Sequence, residues 1–426
     1  MGAVKKKLMP KSAMFVRKYE KTIRVGFASF LMALTVLFLM HKPDAGTTAM
    51  APQQTMAGFT SVVKNGQPGY VIPASDLLQD VKEHPLDDGV KEKAAFITLA
   101  RNGDLWSLVN TIRHVEDRLN HRYHYDWVFL NDKGFTDEFI RLTSALVSGK
   151  AKYGKVPKEH WEVPSHIDKE KYEISRRKMV LDKVPYGDST PYRHMCRYQS
   201  GLFYRHELVQ EYDYYWRVDT DITVFCNFQY DIFKFLRQNK KKYGFVISLT
   251  EYEETIPTLW ATVKEFMKKY PQHIHKNNFL NFISDDGGET YNGCHFWTNF
   301  EVGDLNFWRS QAYTDFFNFL DQKGGFYYER WGDAPVHSIA AALLLDKDEI
   351  HFFDGFGYHH PDFQSCPHEE EVRLQNKCTC NFSKDKIWMT YYFCNLRYFE
   401  AKEIGLPPKI EANLDEEYKK KLKVSS

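Results

Sequence analysis

AAFITLARNGDLWSLVNTIRHVEDRLNHRYHYDWVFLND, residues 94–132, decides the fold class. Ala94–Ala100 is a short apolar run suited to a buried strand, and Asn102-Gly103-Asp104 punctuates it. Leu105, Leu108, Val109, Ile112 and Val115 then recur at helical spacing. Tyr125–Leu130 is a second apolar run, closed by Asn131-Asp132-Lys133-Gly134. Strand, helix and strand within about 40 residues predict a βαβ unit, and hence a mostly parallel sheet covered by helices. YYWRV (214–218), YGFVISL (243–249), the helical SIAAALLL (338–345) and IHFF (350–353) extend the same α/β scheme.

Outward from this stretch, 426 residues allow one large α/β domain with appendages, and 43% hydrophobic content is ample for its core. Lys+Arg (57) and Asp+Glu (56) nearly cancel, so overall charge points to no nucleic-acid partner. The basic excess is local. Lys5, Lys6, Lys7, Lys11, Arg17, Lys18, Lys21 and Arg24 are opposed only by Glu20, and they precede the uncharged VGFASFLMALTVLFLM, residues 25–40. As a helix this run spans about 24 Å, slightly short of a hydrocarbon core of about 30 Å. A cleaved signal peptide competes with an uncleaved signal anchor. Ala49-Met50-Ala51 offers small residues for cleavage, but Pro52 follows and the basic segment is long for a signal peptide. The anchor is the preferred reading, with the basic end held in the cytoplasm. The expected organisation is a cytoplasmic tail (1–24), a transmembrane anchor (25–40), a luminal stem (41–88) and a folded luminal domain (89–426). The stem reading rests on an aperiodic segment rich in Ala, Thr, Gly, Pro and Gln.

All seven cysteines (196, 226, 294, 366, 378, 380 and 394) fall on the luminal side. Four lie in the last third and suggest a disulfide-stapled C-terminal region in an oxidising compartment. A zinc site is the rival, although Cys378-Thr379-Cys380 lacks the usual C-x2-C spacing. Four cysteines allow three pairings, and the odd total leaves at least one unpaired within the chain. Asn381-Phe382-Ser383 is an acceptor sequence for N-glycosylation.

Four constellations could carry chemistry. Asp219-Thr220-Asp221 follows the strand-like YYWRV, and ligands collect at strand carboxyl ends in open α/β sheets. Two carboxylates one residue apart suit a hard divalent cation that bridges a diphosphate; the plain alternative is an Asp-rich turn. In Tyr328–His337, Asp333 precedes Ala-Pro and a helix, so an N-cap competes with a catalytic or acceptor-binding carboxylate. Gly357-Tyr358-His359-His360 offers imidazoles that serve as metal ligands or as ordinary hydrogen-bonding groups. Asn292–Glu301 is densely aromatic with one carboxylate, Glu301, whose role as nucleophile, base or solvated residue the pattern leaves open. Aromatic residues make up 16% of the chain; sugar sites use such rings as platforms, yet most of these must be core.

RNGDLWSLVNTIRHVEDRLNHRYHYDWVFLND (101–132), PYRHMCRYQSGLFY (191–204), YYWRVDTDI (214–222), ISLTEYEETIPTLW (247–260), YNGCHFWTNFEVGDLNFWRS (291–310), GGFYYERWGDAPVHSIAAALLL (324–345) and GYHHPDFQSCP (357–367) resemble the fungal Golgi α-1,2-mannosyltransferases of glycosyltransferase family 15. The resemblance runs from about residue 90 to about residue 370. It implies a GT-A-like nucleotide-sugar transferase fold with a mixed, mostly parallel central sheet, on a single-pass type II Golgi membrane protein. The implied reaction moves mannose from GDP-mannose to a mannose-terminated O-linked or N-linked glycan of a glycoprotein, with retention at the anomeric carbon and with Mn2+ as cofactor. Position by position, Glu301 matches the family's candidate nucleophile; Arg217, Asp333, Tyr192 and Glu251 match other active-site positions. His360 matches a metal ligand, joined by Asp219 and Asp221, while Arg101 matches a position near the nucleotide pocket. One departure stands out: the family's usual Glu-Pro-Asp is here Asp219-Thr220-Asp221, one methylene shorter and without the preset proline φ. Retention admits either a covalent mannosyl-Glu301 or same-face attack by the acceptor. A mannosylphosphate transferase is the nearest rival activity, and an inert lectin or scaffold is the rival from another class.

Overall fold

In a computed structural model of the protein, the described residues are Val63–Lys64, Gln67–Pro68, 85–388, 392–407 and 410. The basic tail, the 25–40 run and most of the 41–88 stem lie outside them. Two compact units are present. In the first, Met1–Ile72, Val63–Lys64 pairs antiparallel with Gln67–Pro68. The second, Pro73–Ser426, carries everything below. Among the described residues, no helix is long and apolar enough to cross a membrane.

The opening stretch folds as its periodicity predicts, into strand β1 (Ala94–Leu99), helix α1 (Leu105–Arg118) and strand β2 (Asp126–Asn131), with β1 and β2 parallel. Next come β3 (Ala151–Lys155), α2 (Lys169–Leu181), α3 (Thr190–Gly201), β4 (Tyr214–Val218) and β5 (Thr223–Val224). After these follow β6 (Tyr243–Phe245), β7 (Ser248–Thr250), β8 (Cys294–Phe296) and β9 (Phe300–Asp304). The chain continues through α4 (Asp333–Leu344), β10 (Ile350–Phe352), β11 (Tyr358–His360) and β12 (Phe363–Ser365). The seven-stranded sheet has the order β10-β6-β9-β4-β1-β2-β3. Only β9 runs antiparallel to its neighbours, so the sheet is mixed and mostly parallel, as expected.

Aromatic residues pack the sheet. Phe96 stacks on Trp127 at 4.8 Å and meets Trp216 at 5.5 Å, and all three are buried. Glu116 on α1 accepts from Trp127 Nε1 (2.8 Å) and Asn120 Nδ2 (2.8 Å), fixing helix to sheet. The YGFVISL run does not form one strand. Tyr243–Phe245 stays in the large sheet, whereas Ser248–Thr250 leaves it to pair with β8. At the break, buried Asn395 accepts from Ser248 N (2.9 Å) and donates to Val246 O (3.1 Å), replacing ladder bonds with side-chain bonds.

Disulfides join Cys226–Cys378, Cys294–Cys394 and Cys366–Cys380, leaving Cys196 as a buried thiol. The cysteines of the last third are therefore not stapled only among themselves, because two of them reach back to the sheet domain. None of these six thiols remains for the rival zinc site.

Beside Cys366, Asp385 accepts from the backbone N–H groups of Cys366 (2.8 Å) and Ile387 (2.9 Å). Burial pushes its pKa up to about 7, against the pull of those two bonds. A raised carboxyl pKa stabilises the folded state fully below the unfolded value of about 3.9, and that contribution is lost as pH rises toward 7. The stability of wild type relative to Asp385→Asn should therefore decline between about pH 4 and pH 7 and level off above, read by thermal melts across pH.

Candidate active site

From β1 the chain crosses to β2 and β3 on one side, then returns to place β4 on the other side of β1. This reversal opens a crevice at the strand carboxyl ends, where α/β sheets bind ligands. Two adjoining cavities occupy it. One, of about 680 Å3, is walled by the ends of β1 and β2, including Arg101, Asn131 and Lys133. The other, of about 530 Å3, is lined by Arg217, Asp219, Asp221, Glu251, Asp333 and His360 among others. Tyr186, Tyr192 and Met195 belong to both.

Arg217, near the end of β4, is buried and organises the second cavity. Its Nε donates to Asp219 Oδ1 (2.9 Å) and its Nη1 to Asp333 Oδ2. Burial works against the guanidinium charge, but Asp219, Asp333 and Glu301 outweigh it and hold the pKa well above the usual arginine range. Asp333 is not the cap of α4. Gly332 occupies that position, and Asp333 is the first helical residue, its carboxylate bonded to Arg217 and to Thr298 Oγ1 (2.7 Å). For Asp333 burial acts upward most strongly, yet Arg217, His337 and Thr298 together bring its pKa below the usual carboxylate range.

The Asp219–Asp221 turn is pinned from behind, where the Thr111 hydroxyl of α1 reaches the carbonyls of Thr220 and Ile222, 3.1 Å each. Strand register then delivers the histidine. β5 pairs with β11 so that Thr223 faces His359, which brings His360 Nε2 to 3.3 Å from Asp221 Oδ1. The bond to His360 is the main influence lowering the Asp221 pKa. The hairpin's approach requires Gly357: its φ is +58°, and a Cβ there would lie 2.5 Å from Cys226 Sγ.

Of the expected metal ligands, the structure therefore brings Asp221 and His360 together and turns Asp219 toward Arg217. Among the described residues no group of three His, Cys, Asp or Glu side chains is arranged to hold an ion. The donors present still fit a hard divalent cation: His360 Nε2 and Asp221 Oδ1 converge at 3.3 Å, an imidazole and a carboxylate on the wall of one cavity. Two protein donors suit an ion that completes its shell with substrate phosphates.

Glu301 is a buried carboxylate of β9. Opposite Arg217 in the β9–β4 ladder, it is 1% exposed and lines neither cavity. Its Oε1 accepts from the Tyr215 hydroxyl, and its Oε2 meets Tyr243 Oη (2.9 Å) and His337 Nδ1 (2.8 Å). It forms the floor beneath Arg217 and Asp333. Glu251 does line the cavity, with Arg330 Nη2 3.7 Å away. Tyr192, on the capped first turn of α3, sits under the Arg330 guanidinium at 5.2 Å. Arg101 is exposed and clasped by Asp104 through Nε (3.1 Å) and Nη2 (2.9 Å). Asn381 is exposed and lines neither cavity; its Oδ1 accepts from Ser383 N (3.1 Å) and Oγ (2.8 Å).

Sequence reading missed Thr298, Arg330 and Trp297. Thr298 and Trp297 lie inside the aromatic Asn292–Glu301 stretch, and Arg330 lies three residues before Asp333. Only the fold shows that Trp297 backs His360 at 4.8 Å and that Arg330 faces Glu251.

The sequence profile of the family described as glycolipid 2-alpha-mannosyltransferase matches residues 60–403. The chain belongs to this family. It is 60% identical to the probable mannosyltransferase KTR3 of Saccharomyces cerevisiae over 406 residues, covering 95% of this chain and 99% of that one. It is 55% identical to the alpha-1,2 mannosyltransferase KTR1 of the same yeast, over 76% of this chain and 82% of that one. The crystal structure of core-mannan synthase A (CmsA/Ktr4) from Aspergillus fumigatus, in its Mn/GDP form, superposes with a TM-score of 0.70 at 38% identity, over 76% and 89% of the two chains. The fold is thus GT-A-like, and the family member described here is a glycosyltransferase.

Removing the Asp333 charge leaves buried Arg217 with one fewer partner. Asp333→Asn should lower unfolding stability by about 3 kcal/mol, the scale of a broken buried ion pair, measured by denaturant unfolding.

Proposed function

We propose that the chain is a retaining α-1,2-mannosyltransferase that moves mannose from GDP-mannose to a mannose-bearing O-linked or N-linked glycan, with Mn2+ as cofactor. One observation carries the reading. Asp219, Asp221, Glu251, Asp333 and Asp362 line the second cavity against only two arginines, Arg217 and Arg330. Such an acidic pocket repels a bare diphosphate and accepts one that arrives with a divalent cation. Asp221 and His360 would hold that cation; that a cation accompanies the nucleotide is supported by the Mn/GDP form of the Aspergillus relative. When bound, it neutralises charge developing on the departing GDP.

The chain's own groups do the remaining work. Arg217 is locked by Asp219 and Asp333, so its charge is fixed before substrate enters and need not reorganise during reaction. Asp333 and Glu251 would accept hydrogen bonds from the hydroxyls of a sugar within the cavity and orient it. The burial of Glu301, with both oxygens already bonded, supports same-face attack by the acceptor over a covalent mannosyl-Glu301. There its carboxylate reinforces Arg217 from below.

The same reading places the protein in the Golgi membrane, type II, with its catalytic domain luminal. The basic segment before the 25–40 apolar run and three disulfides beyond it support this orientation. The exposed Asn381-Phe382-Ser383 turn suits N-glycosylation. Release of the full-length protein by alkaline carbonate would defeat the membrane assignment.

Full-length protein in detergent, given GDP-mannose, Mn2+ and an α-mannoside, should release GDP and form an α-1,2-linked product, read by linkage analysis. Release of GMP with an acid-labile phosphodiester would instead mark mannosylphosphate transfer. His360→Ala should raise the Mn2+ concentration for half-maximal rate by at least about tenfold, the scale seen when a metal site loses even an outer partner. Mass spectrometry of donor-treated enzyme should find no mannosylated peptide containing Glu301.

A further inference from the structure

Among the residues shared by the two cavities, Tyr186, Tyr192 and Met195, one ring is exposed. Tyr186 lines both cavities, yet it is 64% exposed. Its inner face lies on Tyr192, with ring centroids 4.4 Å apart and planes 2° from parallel. Behind Tyr192 stands the Arg330 guanidinium, so one outward-facing ring is backed by a second ring and a cation.

The backbone holds this display in an unfavourable conformation. Tyr186 has φ of 56° and Lys183, three residues earlier, 57°, a region that bulky L-residues seldom occupy. The turn is over-determined from inside. Val184 N bonds Met179 O (2.9 Å), and Ser189 N bonds Tyr186 O (3.0 Å). Arg193 is completely buried, and among the described residues no carboxylate pairs with it. Its guanidinium is spent instead on the carbonyls of Glu329 (3.1 Å), Ser189 (3.2 Å) and Tyr186 (3.5 Å), and it lies over the Tyr172 ring. A buried cation thus ties the Tyr186 turn to the segment leading into Arg330 and Asp333. A solvent-exposed aromatic residue needs no such anchoring for stability. A ring that must meet a ligand at a fixed position does.

We propose that Tyr186 is an acceptor-binding residue, its outward face the platform on which the apolar face of the acceptor mannoside stacks as it enters above Asp333 and Glu251. This rests on the mannosyl-transfer reading. The donor is held by its diphosphate at the Asp221–His360 end of the cavity. The acceptor, which has no charge to hold it, depends on ring contact.

The test uses full-length wild type, Tyr186→Phe and Tyr186→Ala, with GDP-mannose, Mn2+ and methyl α-mannoside. Tyr186→Ala should raise the acceptor KM about tenfold or more, leave the GDP-mannose KM within about twofold, and melt at the wild-type temperature. Tyr186→Phe, which keeps the ring, should stay within about threefold of wild type in both. The proposal is overturned by an acceptor KM unchanged in the alanine variant, by an equal or larger rise in the GDP-mannose KM, or by a phenylalanine variant as impaired as the alanine one. Calorimetric titration of methyl α-mannoside into protein holding GDP and Mn2+ separates the two ideas. Binding by wild type that is lost in Tyr186→Ala, without any turnover, keeps the platform and sinks the transfer reading. No binding by wild type sinks both.

Discussion

A buried guanidinium must be paired, and Arg217 is the cation around which the site is built. Desolvating such a group costs several kcal/mol unless acceptors with good geometry, carboxylates first among them, satisfy its N–H groups. Asp219 from its own strand end, Asp333 from the first turn of α4 and Glu301 from the neighbouring strand meet that requirement. Each comes from a different part of the chain, so the pairing also fixes where the Asp219–Asp221 turn and the start of α4 stand relative to the sheet. A second buried arginine, Arg193, is satisfied by backbone carbonyls and the Met179 sulfur, and it fixes the neighbouring wall in the same manner.

The two arginines divide the labour. One sets charge and the other sets shape. Around Arg217 the carboxylates exceed the cations, which makes the cavity selective for a ligand that brings its own positive charge. Around Arg193 the guanidinium is spent on backbone carbonyls, and the result is a braced turn at the seam of two cavities. Nucleotide and sugar therefore meet at walls that are already in place.

Much of the fold was legible in the sequence. The β1-α1-β2 unit, the β4 strand and the α4 helix follow from periodicity, because each buries a continuous apolar face. The split of YGFVISL was not legible, since its cause is the side chain of Asn395, about 150 residues away. The site residues were named through long motif blocks, and seven of them do line one cavity. Their partnerships were not readable. Spacing suggested an N-cap at Asp333, whereas Arg217, 116 residues distant, claims its carboxylate. Composition likewise could not say that Glu301 would be capped by two tyrosines and a histidine rather than open to substrate.

The link between Cys226 and Cys378 spans 152 residues and closes beside Gly357, at the root of the hairpin that carries His360. Its loop-closure contribution, on the order of 5 kcal/mol, is realised only once two distant thiols have been oxidised. The arm whose strand pairing brings its imidazole to Asp221 is thus braced at its root by that oxidised pair. Before oxidation, the pairing with β5 holds it without that brace. The security of the histidine therefore depends on the redox state of the surroundings as well as on the sequence.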